Sequence, residues 1–276
     1  MSTPLTYNAL QKMPSYRTTI FPIYRHLSGF IDQLPRRFDT EGSLLHKGRN
    51  TVKLFEANGT RLVVKKFRKP NIVQRMAYTF FKPPKAARAY MYAVRLRARD
   101  IGTPHEVAYI ETRKWGLFTT GYFVSLYCAD PQVKDKLLPS GTQHLDGDIL
   151  AYEERDRMTS EVAAFISTMH TNGVLHGDLN ISNILYKTDE GGCHTFNVID
   201  TDRAKFKTPS RGECLEDLKR VTHDRVLLSL LVKYYAARRG WNAEETTVEV
   251  MEKLDIFEKK DLLKRKLKRM LVRKKP

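Results

Sequence analysis

Residues 61–99 contain no aspartate or glutamate, although they carry twelve lysines and arginines. A stretch of that length without an acid cannot neutralise itself through i,i+4 pairs on any helix it forms, so it leaves a strip of one sign. Cysteine is scarce as well. Cys128, Cys193 and Cys214 are odd in number and widely spaced, which argues against a disulfide framework and a zinc site and fits a reducing compartment. No apolar run approaches the length of a membrane span. The opening residues, Met1 to Asn8, lack the basic start and apolar core of a secretory signal. Also missing are an aromatic-glycine RNA motif, zinc-finger spacing and a helix-turn-helix signature, so the positive charge comes without a module that reads nucleic acid.

The chain has 276 residues, 41% of them apolar, and a net charge of +17. It is long enough to bury a large core as one bilobal domain or two small ones. There is no internal repeat. Residues 259–276 hold ten lysines and arginines against Asp261 alone, with Leu262, Leu263, Leu267, Met270 and Leu271 at helical spacing. That pattern predicts a basic amphipathic helix, suited either to an anionic surface or to packing its leucines on the domain.

Strand signals dominate residues 43–67 and 106–128, with a tight turn at Asn58-Gly59 and another at Trp115-Gly116. Helical patterns dominate afterwards. Val162, Phe165, Ile166 and Met169 share one face, and Leu218, Val221, Val226, Leu227, Leu230, Leu231 and Tyr234 form one or more further core helices. The β-rich first half and α-rich second half predict a two-lobed α+β architecture joined near Cys128 to Asp130.

The most informative stretch runs from Leu175 to Tyr186 and places His176, Gly177, Asp178, Leu179 and Asn183 in an H-G-D-L-x-x-x-N order. It resembles the catalytic loop of kinases, with Gly177 where protein kinases usually carry arginine. In such a loop the aspartate, here Asp178, accepts the proton of an attacking hydroxyl. The asparagine, here Asn183, reaches a magnesium ion that bridges nucleotide phosphates. Two short apolar-alternating runs follow, separated by Thr188 to Gly192. They predict a hairpin, which returns the chain from Asn183 to Asp200 and lets two oxygen ligands share one hard cation.

Upstream, Arg61-Leu-Val-Val-Lys-Lys-Phe67 looks like the lysine strand of kinases. Strand alternation selects Lys65 as the inward, phosphate-contacting lysine and turns Lys66 to solvent. The loop around Gly48 to Asn50 is the candidate cover for a triphosphate, although it lacks the G-x-G-x-x-G pattern. In the predicted helix over residues 85–100, Met91 stands where a glutamate partner for Lys65 is expected, leaving Glu106 and Glu111 as the nearest substitutes.

The Gly-Arg-Asn loop, Val-Val-Lys65, Thr103-Pro104 ahead of a Tyr-Ile-Glu strand, His-Gly-Asp-Leu-Asn-x-x-Asn-Ile-Leu and Ile-Asp-x-Asp-Arg203 together resemble the lipopolysaccharide kinase family of Kdo and heptose kinases. The similarity runs from about residue 25 to residue 240. The resemblance implies a bilobal protein-kinase-like fold, with residues 1–128 as N-lobe (the first ~24 residues peripheral), 129–258 as C-lobe and 259–276 as tail. It implies ATP and Mg2+ as cofactors, Asp178 as base, Asn183 and Asp200 as metal ligands, and Lys65 as the phosphate contact. The implied reaction is γ-phosphate transfer to a sugar hydroxyl on Kdo-lipid A or a heptosylated form. The implied location is cytoplasmic, peripheral on the inner membrane. Anionic lipid ranks above nucleic acid as counter-charge to the basic regions. An atypical, RIO-like protein kinase and a nucleotide-binding pseudokinase scaffold are the competing functions.

Overall fold

Two left-handed dipeptides set the hairpins of the first half. Asn58 and Gly59 (φ 49° and 71°) join strands β3 (Thr51–Ala57) and β4 (Thr60–Lys66). Trp115 and Gly116 (φ 53° and 76°) join β5 (Glu106–Lys114) and β6 (Leu117–Leu126). Two successive positive φ values match the right-handed twist of the flanking strands, which is why Asn-Gly is the strongest short hairpin signal. The computed structural model describes residues 15–138 and 149–273. The chain forms two compact units, one of residues up to Arg99 plus Thr103–Ala129, the other of Asp100–Gly102 plus the residues from Asp130 onward.

The first unit is built on an antiparallel six-stranded sheet in the order β1-β5-β6-β4-β3-β2, with β1 at Ser15–Ile20 and β2 at Ser43–Lys47. The edge strand β1 pairs with β5 from Ser15↔Arg113 to Ile20↔Ala108. A 3-10 turn (Pro22–Leu27) and helix α1 (Ser28–Arg37) cover one face, burying Leu27, Ile31 and Leu34 with Phe38, Phe55, Leu62, Val64, Ile110 and Val124. Each such side chain contributes roughly 1.5–3 kcal/mol on burial. Helix α2 (Ile72–Phe80) and helix α3 (Lys85–Arg97) follow β4. Ala86 and Ala89 of α3 pack with Phe67, Tyr109 and Phe123, and a Cβ at Gly121 would lie 2.8 Å from that of Ala86. Small residues on both sides let this helix approach the sheet closely.

The second unit holds α4 (Val133–Leu137), α5 (Ile149–Thr171), β7 (Val174–Leu175), a 3-10 turn (Ile181–Asn183), the hairpin β8 (Ile184–Thr188) and β9 (His194–Val198), β10 (Lys205–Phe206), α6 (Arg211–Leu218), α7 (Arg225–Arg239) and α8 (Ala243–Arg273). Its core includes Met158, Val162, Ile166 and Met169 from α5 and Leu227, Leu228, Leu231, Val232 and Tyr235 from α7. Phe165 is half-buried and lies 5.4 Å, ring to ring, from Phe196. The run expected to be one or more helices breaks at residues 219–224 into α6 and α7. A Ser210–Glu213 capping box opens α6, and Asp224, accepting the Leu227 amide at 2.8 Å, opens α7. Val226, expected in the core, is 82% exposed because it falls in the first turn of α7, away from the buried stripe of Leu227, Leu228 and Leu231. The basic segment expected to be helical continues α8 to Arg273, with Leu262, Leu263, Leu267 and Met270 exposed. These four side chains do not pack on the domain, and that of Leu271 lies outside the described residues.

Candidate active site

The H-G-D-L loop leaves β7, which is anchored by antiparallel pairing of Leu175 with Lys205 and Val174 with Phe206. Asp217, on the buried face of α6, grips the start of the loop. Its Oδ2 accepts the His176 amide at 2.7 Å and its Oδ1 the Gly177 amide at 2.8 Å. Each bond to a charged acceptor is worth about 1.5–3 kcal/mol. Gly177 has φ 74°, and a Cβ there would sit 2.6 Å from the carbonyl oxygen of Arg203. This is the physical reason that glycine occupies the position where protein kinases place arginine.

His176 is buried and bonded on both nitrogens, with Nε2 3.0 Å from the Ile199 carbonyl and Nδ1 3.3 Å from the Asp178 amide. The carbonyl only accepts and the amide only donates, so Nε2 carries the proton and Nδ1 is the acceptor. Burial, partly countered by Asp217, holds the ring below its usual pKa and keeps it neutral. His176 thus ties the loop to the residue preceding Asp200.

Asp178 is 38% exposed on its side chain and paired with Arg203 at 3.0 Å and Arg220 at 3.5 Å. Asn183 donates through Nδ2 to the Asp178 carbonyl at 3.0 Å. The predicted hairpin is present, registered from Ile184↔Val198 to Thr188↔His194, and the Ile199 amide donates to the Asn183 carbonyl at 2.9 Å. Asn183 and Asp200 therefore flank the same end of the hairpin, with Asp200 exposed and left-handed at φ 58°. An aspartate carboxylate and an asparagine carbonyl oxygen are hard donors of the kind that Mg2+ takes. Among the described residues no three His, Cys, Asp or Glu side chains cluster as a self-contained metal cage.

Lys65 and Gly48 belong to the first unit. Lys65 lies in register with Val52 and Phe123, on the α3 face of the sheet, with Nζ 5.4 Å from the Phe67 ring centroid. Lys66 faces the opposite side, as alternation requires, but it is not simply solvated. It pairs with Asp39 at 2.7 Å and lies over Phe38 and Tyr122. Gly48 sits in the β2–β3 turn, where its amide donates to the Asn50 carbonyl at 3.1 Å, and Asn50 Oδ1 in turn accepts the Arg68 amide at 3.2 Å.

The expectation that position 91 addresses Lys65 is corrected by helix phase. Met91 is 39% exposed, whereas Ala86, Ala89, Ala93 and Leu96 are buried. The two substitute acids are engaged by arginines: Glu106, fully buried, by Arg97 at 2.5 Å, and Glu111 by Arg113 at 2.9 Å.

Asp217 was missed in the sequence, and so were its neighbours. Its only signal is an acid at helical spacing among Cys214, Leu215 and Leu218, all of which are buried. His170 Nε2 lies 3.5 Å from Asp217 Oδ2, and its Nδ1 is 2.8 Å from the Tyr235 hydroxyl.

A β-sheet unit followed by a helical unit bearing this loop and hairpin defines a kinase-like fold. A solved structure described as WaaP in complex with acyl carrier protein matches with a TM-score of 0.59 and 18% identity, over 88% of this chain and 97% of that one. A Ralstonia eutropha JMP134 protein, named as a candidate aminoglycoside phosphotransferase, matches with a TM-score of 0.47 and 13% identity, over 82% of this chain and 85% of that one. No curated protein sequence matches. The model of the lipopolysaccharide kinase (Kdo/WaaP) family matches residues 47–243. The chain belongs to this family, and it is accordingly a phosphotransferase that uses ATP and acts in assembly of the lipopolysaccharide core.

Proposed function

We propose that the chain transfers the γ-phosphate of ATP to a hydroxyl of an inner-core sugar, with Kdo on lipid A as the acceptor. The observation that carries this reading is the union of loop and hairpin by His176, whose ring spans from the Asp178 amide to the Ile199 carbonyl. It supports a reading in which Asp178 works as a carboxylate base beside two hard-oxygen residues, groups of the kind that phosphoryl transfer to an alcohol uses.

In this reading Asp178 accepts the proton of the sugar hydroxyl as the oxygen attacks phosphorus. Arg203 and Arg220 hold its carboxylate from two directions and give the acceptor side of the base a positive field. That field suits a sugar bearing a carboxylate or neighbouring phosphates. Asn183 and Asp200 would hold Mg2+, which supplies charge neutralisation on the nucleotide phosphates. Asn183 has a second role, holding the Asp178 main chain through Nδ2. Lys65 contacts the phosphates and the Gly48 turn covers them.

The acceptor places the reaction on the cytoplasmic face of the inner membrane. In this reading attachment is peripheral; among the described residues no helix is long and apolar enough to cross a bilayer. The exposed leucines and lysines at the end of α8 support contact with anionic lipid.

The test is mass spectrometry of Kdo-lipid A after incubation with the protein, ATP and magnesium, beside the Asp178→Asn variant. A phosphate-mass gain on the Kdo portion with the wild type alone is expected. Gain only on a heptosylated acceptor would move the acceptor assignment, and gain only on protein would overturn the sugar-kinase reading.

A further inference from the structure

Helix α2 is amphipathic in the reverse sense. It is held to the sheet at Phe118: Arg75 Nε donates to the Phe118 carbonyl at 2.8 Å, the Thr79 hydroxyl accepts the Phe118 amide at 3.0 Å, and the Tyr78 ring meets the Phe118 ring edge-on at 5.6 Å. None of its residues is buried. Its large apolar side chains point outward, with Ile72 59%, Val73 73%, Met76 44% and Phe80 63% exposed, and Phe81 just beyond at 82%. Positions 72, 73, 76 and 80 fall within one third of the helical circumference, so they form a single apolar face. A contiguous apolar surface of this kind on a folded unit marks a contact site.

The surroundings specify the contact. Arg68, Lys69 and Lys82 flank α2 and are exposed, within the stretch that lacks any acid. Beside the helix start lies a cavity of about 300 Å³ whose walls include Arg49, Arg68, Lys69 and Lys85 over a floor of Phe67 and Phe118. Lys65 and Gly48 do not line it, whereas Arg49 and Asn50 of the turn that follows Gly48 form one edge of it. Four cations around an aromatic floor suit a phosphate group with a carbon skeleton attached.

We infer that α2 and this cavity form a docking site for anionic phospholipid, in which the outward apolar face enters the acyl boundary and the cavity takes a headgroup phosphate. An in-plane helix with cations at the headgroup level is the geometry of interfacial binding. The inference rests on the lipid-linked acceptor proposed above and names a surface other than the basic end of α8. A convex face of Ile, Val, Met and Phe needs no complementary groove, and a bilayer provides one continuous apolar phase for all of them. An acidic protein would match the cations but leave those side chains to find a matched pocket.

The test is sedimentation of the full chain with vesicles of phosphatidylcholine alone or with phosphatidylglycerol added. Wild type is expected to bind only the vesicles containing phosphatidylglycerol. Val73→Gln with Phe80→Gln is expected to weaken that binding by about tenfold or more. Arg68→Ala with Lys69→Ala is expected to weaken binding and flatten its salt dependence. All replaced side chains are exposed, so both variants should keep the wild-type melting temperature, and the apolar variant should phosphorylate a deacylated, soluble Kdo acceptor at the wild-type rate. Wild-type vesicle affinity in the apolar variant would overturn the inference while leaving the kinase reading intact. Binding to an acidic carrier protein but to neither vesicle would overturn it in favour of a protein contact. Loss of vesicle binding in the variant, with no phosphorylation of any sugar by wild type, would sink the kinase reading and keep the docking site.

Discussion

Asp217 Oδ2 lies 2.7 Å from the amide nitrogen of His176, across the interior of the helical unit. One buried carboxylate thereby sets the conformation from which the candidate base projects, although it sits outside the H-G-D-L motif.

Asp217→Asn replaces a charged acceptor by a neutral amide with two donors that the backbone amides cannot satisfy. The expected loss is about 1–3 kcal/mol of stability, with a fall in turnover as the loop relaxes. The pH dependence carries a sign. Burial opposes ionisation of Asp217, but His170, His176 and the bonded amide outweigh it and lower its pKa. Its contribution is present above the ordinary aspartate value of about 3.9 and is lost as pH falls through the lower folded value. His176, depressed by burial, adds a loss below about pH 6.5. His170 acts oppositely. Burial lowers its pKa, the Asp217 and Cys214 contacts raise it by more, and its contribution fades as pH rises through the raised value. Melting temperatures of wild type and Asp217→Asn across pH should converge on acidification; a constant gap would contradict this account.

Gly177→Ala should be poorly tolerated. A methyl group would meet the Arg203 carbonyl oxygen at 2.6 Å, on a backbone at φ 74°. Strain of about 1–3 kcal/mol is expected, together with displacement of Arg203 from Asp178. Thermal unfolding and steady-state kinetics on one preparation check both effects, and an alanine variant that melts and turns over as wild type would refute the packing argument.

Asp178→Asn and Asp200→Asn should separate chemistry from binding. The first is expected to lower kcat by about 10²–10⁴-fold with nucleotide affinity retained. The second is expected to weaken nucleotide binding only when magnesium is present. Calorimetric titration of nucleotide with and without magnesium distinguishes them, and equal retention of activity in both variants would remove the site assignment.

Met91→Glu restores the residue type expected from the kinase pattern at a position that faces outward. Turnover should change by no more than about twofold, the scale of an exposed charge substitution. A tenfold gain in kcat/KM would show that α3 presents position 91 to Lys65 after all.

The hairpins were legible in the sequence because Asn58-Gly59, Trp115-Gly116 and the Thr188 to Gly192 stretch have local causes in backbone preference. The H-G-D-L motif was legible because its residue types and order are dictated by chemistry. Asp217 was not, since its significance comes from two amides some forty residues distant. Lys66 was misread as solvated because its partner Asp39 precedes it by 27 positions. Helix phase defeated the reading of Met91: residue types gave the helix, but only packing of Ala86 and Ala89 on the sheet sets its rotation. Edge strand β1 left only the weak alternation of Ser-Tyr-Arg-Thr-Thr-Ile, because one side of it faces solvent.

The β8–β9 hairpin joins Asn183 to Asp200 at its base and carries exposed Lys187, Thr188, Asp189 and Glu190 toward its tip. The ladder between base and tip insulates the two candidate metal ligands from events at the turn. Residues 189–192 are consequently a place where the chain can lengthen, vary or accept an inserted peptide label while the pair at the base keeps its spacing.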